Sequence, residues 1–149
     1  MSNKWVQGWY TVKRPDKYLG DPNDVRYLSS WELDFFKFCD NNPNVIKWAS
    51  EEIKIPYAKP DPKTGREVFS VYFPDVFLVY KDKKGKLRKA LIEIKPHKQT
   101  RKSRARKPVK KIQEEYTYIV NQCKWKAAQE WCKQHDIEFR VITEKDQFF

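Results

Sequence analysis

The sequence predicts an α/β domain with a mixed sheet, in the chain order helix, three strands, helix, strand. Three observations carry that expectation. A capping signal at Ser29 opens a short segment of helical periodicity. Runs rich in Val, Ile and Tyr fill the middle of the chain. A long stretch over residues 112–131 repeats its apolar residues every three or four positions. With 149 residues, the chain is long enough to bury a core without disulfides, and a single domain over 1–149 is expected.

Residues 1–28 are expected to form an irregular arm, because Pro15, Gly20, Pro22 and the Asn23-Asp24 pair favour turns. Trp5, Trp9 and Tyr10 are its candidate anchors. Ser29-Ser30-Trp31-Glu32 reads as a capping box, in which Ser29 accepts from the Glu32 amide and the Glu32 carboxylate reaches back. Trp31, Phe35 and Phe38 then fall at helical spacing, the predicted apolar face, and Asp40-Asn41-Asn42-Pro43-Asn44 stops the helix. Strand regions are predicted over 45–57, over 68–80 with an interruption at Pro74, and over 87–95. Turn-forming segments at 59–66 and 81–86 join them. Residues 97–111 hold eight Lys and Arg and no acid, and read as a basic loop or a marginal helix start. Ile112, Tyr116, Ile119, Cys123, Ala127 and Trp131 mark one face of the second helix, and a short strand over 139–143 follows.

No apolar run approaches about 20 residues, so no membrane span is expected. The N-terminus lacks a signal-type apolar stretch, which points to the cytosol. Cys39, Cys123 and Cys132 are odd in number and show no C-x-x-C spacing, which argues against a disulfide framework or a zinc knuckle. His97 and His135 form no cluster, which argues against a zinc enzyme or a His-based hydrolase.

The net charge is +11, and it is concentrated. Between Lys81 and Lys111 lie 15 Lys and Arg against two acids, a local charge of +13, so the rest of the chain carries −2. A basic segment on a near-neutral body is the footprint of a protein that meets a polyanion. A solvated loop that merely aids solubility is the alternative.

The basic segment adjoins two carboxylates. In Leu91-Ile92-Glu93-Ile94-Lys95, strand alternation puts Glu93 and Lys95 on one face and Ile92 and Ile94 on the other. A hairpin centred on Lys84 sets Asp75 opposite Glu93. Cβ atoms of such a pair lie roughly 4.5–5.5 Å apart, and like charges there repel. A divalent cation between them compensates, and magnesium is typically held by one or two carboxylates together with water and substrate phosphates. Lys95 is then placed to orient or deprotonate an attacking water, or to neutralise the phosphorane. A surface hairpin with exposed cross-strand ion pairs is the other reading of the same three residues. Glu32 is a further candidate, as a cap, as a metal or water ligand, or as both.

Pro74-Asp75 followed by Glu93-Ile94-Lys95, with an acid on a preceding helix, resembles the motif of PD-(D/E)XK nucleases of restriction-endonuclease-like fold, whose core is αβββαβ. A longer set of matches is similar to the head-completion nuclease family of T4-like bacteriophages. These are Ser29-Ser30-Trp31-Glu32-Leu33, Asn44-Val45-Ile46-Lys47-Trp48, Ser50-Glu51-Glu52, Ile55-Pro56-Tyr57, Tyr72-Phe73-Pro74-Asp75 and Ile92-Glu93-Ile94-Lys95-Pro96. Lys124-Trp125-Lys126-Ala127-Ala128 and the tail through Thr143-Glu144-Lys145-Asp146 extend it, and the pattern also resembles the nuclease subunit of Tn7-type (TnsA-like) transposons. The resemblance implies Asp75, Glu93 and Lys95 as the catalytic core, with Asp75 and Glu93 on the metal and Glu32 as the helix acid. Magnesium is the implied cofactor, with manganese able to substitute, and no organic cofactor is implied.

The implied partners are double-stranded DNA and phage head or portal proteins, in the host cytoplasm with assembling heads or in the virion. Lys98, Arg101, Lys102, Arg104, Arg106 and Lys107 are the expected DNA contacts, because they follow the catalytic strand within a dozen residues. Two uses of such a chain stand open. One is a metal-dependent endonuclease or end-trimming enzyme. The other is a DNA-contacting plug or adaptor at the head portal, which keeps the fold without needing the chemistry. Only the first requires both carboxylates and Lys95. An RNA-binding module is disfavoured by the lack of an RNP-type aromatic motif or a G-x-x-G loop.

Overall fold

The computed structural model describes residues 6–146. The elements in chain order are β1 (Gly8–Trp9), β2 (Arg26–Tyr27), α1 (Ser30–Asn41), β3 (Val45–Ser50), β4 (Ile55–Pro60), β5 (Glu67–Tyr72), β6 (Val76–Lys81), β7 (Leu87–Ile94), α2 (Pro108–Gln134) and β8 (Glu138–Ile142). Short 3-10 helices lie at Pro15–Lys17 and His97–Thr100. The main sheet has the order β3-β6-β7-β8. Neighbours β3/β6 and β6/β7 are antiparallel, whereas β7/β8 are parallel. A parallel pair needs a long crossover, and α2 supplies it. With α1 before β3, the sheet and helices give the αβββαβ order of a restriction-endonuclease-like core.

Two sequence-predicted strands prove to be double. The 45–57 region divides into β3, in the main sheet, and β4, which pairs with β5 in a separate ribbon. The division falls at Glu51, whose φ of 54° is left-handed and turns the chain out of the sheet. The 68–80 region divides at Phe73-Pro74-Asp75 into β5 and β6, which belong to different sheets. Pro74, fully buried, donates no ladder bond, so the expected interruption becomes a change of sheet.

Strand alternation sorts the main sheet into two faces. Val76, Leu78, Ala90 and Ile92 pack towards α1, with Phe35, Phe36 and Trp48. Leu91 packs towards α2, with Trp125, Ala128, Cys132 and the ribbon tyrosines Tyr57 and Tyr72.

Both helices keep part of the predicted face inward, Phe35 and Phe38 in α1 and Cys123, Ala127 and Trp131 in α2, but bury a neighbouring row most deeply. In α1 the buried residues are Ser30, Glu32, Phe35, Phe36, Cys39 and Asp40, while Trp31 and Phe38 are only half-buried. Phe38 instead stacks on Phe35 at 5.7 Å. In α2 the buried row is Asn121, Trp125, Ala128 and Cys132, and Ile112 and Ile119 face out. Only the C-terminal half of that helix lies over the sheet. The helix also starts at Pro108, inside the basic segment, where proline suits the first turn.

The arm is held by Tyr10, Val12, Tyr18 and Val25, all buried in the α1-side core. Tyr10 is thus an anchor as expected. Trp9 is not, being 65% exposed, and Trp5 lies outside the described residues. The cysteines are free, with Cys123 and Cys132 on α2. Among the described residues no helix is long and apolar enough to cross a membrane.

Candidate active site

The β6–β7 hairpin fixes the site. Its turn closes through the Asp82 amide on the Lys86 carbonyl at 2.9 Å, with Gly85 at a φ of 77°. The ladder then pairs Phe77 with Leu91 and Val76 with Ile92. The ladder ends there, and Asp75 and Glu93 are the next residues along the two strands. The Asp75 carboxylate accepts the Ile94 amide at 2.7 Å, so its place is set by the backbone of the partner strand. Glu93 is 3% exposed, and Lys95 Nζ lies 3.9 Å from its Oε2. Parallel pairing with β8 holds this end of the strand, the Lys95 amide donating to the Ile142 carbonyl at 3.0 Å.

Glu32 reaches the same place from α1. The capping box is formed: Ser29 Oγ accepts the Glu32 amide at 3.1 Å, and the Ser29 hydroxyl donates to Glu32 Oε2 at 3.1 Å. The cap does not take Glu32 away from the strand acids. Burial pushes its carboxyl up to about 7; the charges of Glu51 and Glu93 add to this and the Ser29 hydrogen bond opposes it. Asp75 is raised well above the usual carboxylate range, first by burial and then by Glu93 and Glu32, with the Ile94 amide opposing.

Glu51 is a member that sequence reasoning missed. Its amide donates to the Asp75 carbonyl at 3.1 Å, which ties the end of β3 to the bend before β6. The residue is exposed overall, and its carboxyl is raised by partial burial and then by Glu93, with Arg26 opposing. The one signal in the sequence is an acid pair, Glu51-Glu52, directly after an apolar strand.

The six basic residues expected on DNA lie along the chain leaving this strand. Lys98 is in the 3-10 helix, Arg101, Lys102, Arg104 and Arg106 follow in irregular backbone, and Lys107 caps α2. All six are exposed, and among the described residues none forms a salt bridge. The start of the segment is pinned by the His97 amide on Glu144 Oε1 at 2.7 Å.

Among the described residues no three His, Cys, Asp or Glu side chains form a ready-made metal cage. The donor chemistry nevertheless fits a magnesium ion. Asp75 and Glu93 are neighbouring, hard and oxygen-bearing, and magnesium takes one or two carboxylates and leaves its other positions to water and phosphate.

Residues 42–144 match the family described as TnsA-like endonuclease, N-terminal. This chain belongs to that endonuclease family. It is accordingly an enzyme of the DNA nuclease class. Asp75, Glu93, Lys95 and the basic segment lie inside the matched span, and Glu32 lies before it. The chain is also 39% identical over 150 aligned residues to the head completion nuclease of Enterobacteria phage T4, which covers 96% of this chain and 91% of that protein. No solved structure matches it.

Proposed function

We propose that this chain is a magnesium-dependent DNA endonuclease or end-trimming nuclease that acts in phage head completion after DNA packaging. The observation that carries the chemistry is the placing of Asp75 next to Glu93, with Lys95 beside Glu93 and Glu32 close by. The phage setting is supported by the kinship with the T4 protein over nearly all of both chains.

Asp75 and Glu93 would hold the ion, and manganese would substitute. When bound there, it supplies Lewis-acid polarisation of the scissile phosphate and relieves the repulsion of the acids. Lys95, partly exposed beside Glu93, stabilises the charge that builds on the phosphorus oxygens. Glu32, ionising near neutrality, is suited to take up the proton of the attacking water. Lys98, Arg101, Lys102, Arg104, Arg106 and Lys107 hold the flanking backbone, which sets affinity but carries no sequence information directly. The working setting is the host cytoplasm, with assembling heads and their portal proteins as partners.

A plug or adaptor needs no row of mutually repelling buried acids, and this favours the enzyme. The test is plasmid DNA incubated with magnesium, wild type against Asp75→Ala. Cleavage by the wild type alone is expected. Equal cleavage by both, or by neither, removes this reading.

A further inference from the structure

On the α2 side of the sheet, three polar atoms are buried without a hydrogen-bond partner among the described residues: Tyr72 Oη, Trp125 Nε1 and Asn121 Nδ2. Tyr72 and Asn121 are each 3% exposed, and Trp125 is 7% exposed. Folded proteins leave few such groups, because a buried donor loses its water and gains nothing in return. These three belong to one region. Asn121 and Trp125 are a helical turn apart on one face of α2. Tyr72, at the end of β5, shares a core cluster with Trp125 and Leu91, and Leu91 sits two residues before Glu93 on the same strand face.

That cluster brings the tyrosine ring beside Trp125 and beside the strand face that carries Glu93. Yet the hydroxyl is aligned with neither Trp125 nor Glu93 in a hydrogen bond. Its ring is fixed edge-on to Tyr57 at 6.5 Å, with the Lys124 ammonium 5.6 Å above it. DNA cannot reach atoms buried this deeply. The nearby acceptor that fits is a Glu93 carboxylate oxygen.

We propose that Tyr72 is a positioning residue for Glu93: its hydroxyl donates to one Glu93 oxygen, leaving the other directed at the divalent cation. Trp125 donates to the tyrosine oxygen from behind, and Asn121 adds a donor on the same helix face. The inference rests on the metal-site reading of Asp75 and Glu93. Tyr72 also stands three residues before Asp75, so the bend that places one metal carboxylate orients the other. Partners that hold a ligating carboxylate commonly change metal affinity or activity by about 10–100-fold when removed.

The probe is manganese alone, titrated into the full chain and followed by the electron paramagnetic resonance of the free ion. Asp75→Asn identifies the site by abolishing tight binding. Tyr72→Phe keeps the ring and removes only the hydroxyl. Its manganese affinity should fall about tenfold or more, its metal-free melting temperature should hold or rise, and its cleavage should recover at saturating metal. Trp125→Phe should weaken manganese less than Tyr72→Phe does. Unchanged affinity in Tyr72→Phe overturns this inference alone. A fall in affinity accompanied by loss of the metal-free fold makes Tyr72 a packing residue and overturns it as well. A wild-type chain that binds no manganese overturns the metal-site reading and this inference together.

Discussion

The two ends of α1 each bury an acid, and they treat it in opposite ways. At the C-terminal end Asp40 is fully buried and surrounded by donors. It accepts from the Tyr10 hydroxyl at 2.6 Å, the Lys13 amide at 2.7 Å and the Arg14 amide at 3.1 Å. Lys17 adds donations to the Asp40 and Asn42 carbonyls, at 3.2 and 2.9 Å. At the N-terminal end Glu32 meets Asp75, Glu93 and Glu51, acids facing acids, with the Lys95 ammonium 3.9 Å from Glu93. The first group is a clamp that ties the arm to the body. The second is strained in the metal-free protein, and a divalent cation would relieve that strain. Donors satisfy the first acid, whereas like charges set against one another are the arrangement that catalytic sites use.

Substitution at the two ends should give the largest and most opposed effects. Asp75→Ala or Glu93→Ala should abolish magnesium-dependent plasmid cleavage while the melting temperature holds or rises, because repulsion is relieved. Glu32→Gln should join them, losing cleavage with stability kept. Asp40→Ala should do the reverse, costing about 1–3 kcal/mol in urea unfolding for each donor left stranded in the interior, while each folded molecule still cleaves. Full nuclease activity in a purified Asp75 or Glu93 variant would erase the distinction.

Next in size comes the cation among the acids. Lys95→Ala should slow single-turnover cleavage by about 10². Manganese affinity should be little changed or higher, because a neighbouring positive charge is gone. Normal rate with lost metal binding would move Lys95 out of the chemistry.

The β6–β7 hairpin is legible in the sequence because its turn is tight. Once the turn is centred on Lys84, strand period fixes which residues oppose, and the observed pairs as far as Val76 with Ile92 follow with no tertiary information. The capping box is legible for the same local reason. What is not legible depends on partners distant in sequence. Nothing in residues 45–57 announces that Glu51 takes a left-handed φ, since the amide bond that accompanies it goes to Asp75. Tyr72 reads as one more strand aromatic until β5 leaves the main sheet and sets it in the cluster of Leu91 and Trp125. The inward face of α2 escapes because Asn121, Ala128 and Cys132 are weaker apolar signals than Ile112 and Ile119, which the sheet never reaches.

The basic segment extends the comparison beyond the buried groups to a charge held in water. The six cations expected on DNA are exposed, so their worth depends on salt where that of the buried acids does not. Replacing Lys98, Arg101, Arg104 and Arg106 with Ala should weaken DNA binding alike across sequences. The slope of log K against log salt should flatten by roughly 0.9 for each lost phosphate contact. An unchanged slope in filter binding would make the segment a solvated loop that never touches DNA.

The smallest effect is the pH dependence of metal-free stability, and its sign separates the two ends of α1. The Glu32 carboxyl is raised from 4.5 to about 7 in the folded chain, and Asp75 is raised as well. Between those values the folded state holds protons that the unfolded chain has released, so stability falls as pH rises. The contribution is fully present below 4.5 and is lost as pH passes about 7. The metal-free wild type should therefore melt lower at about pH 8 than at about pH 5. Glu32→Gln cannot release that proton. Its melting temperature should decline less over the same interval, though some decline should persist through Asp75. Added magnesium should recover wild-type stability mainly at the high-pH end, where the acids are ionised and repel. Melting curves with the same pH slope in wild type and Glu32→Gln would show that Glu32 does not ionise inside the cluster, and would return it to capping alone.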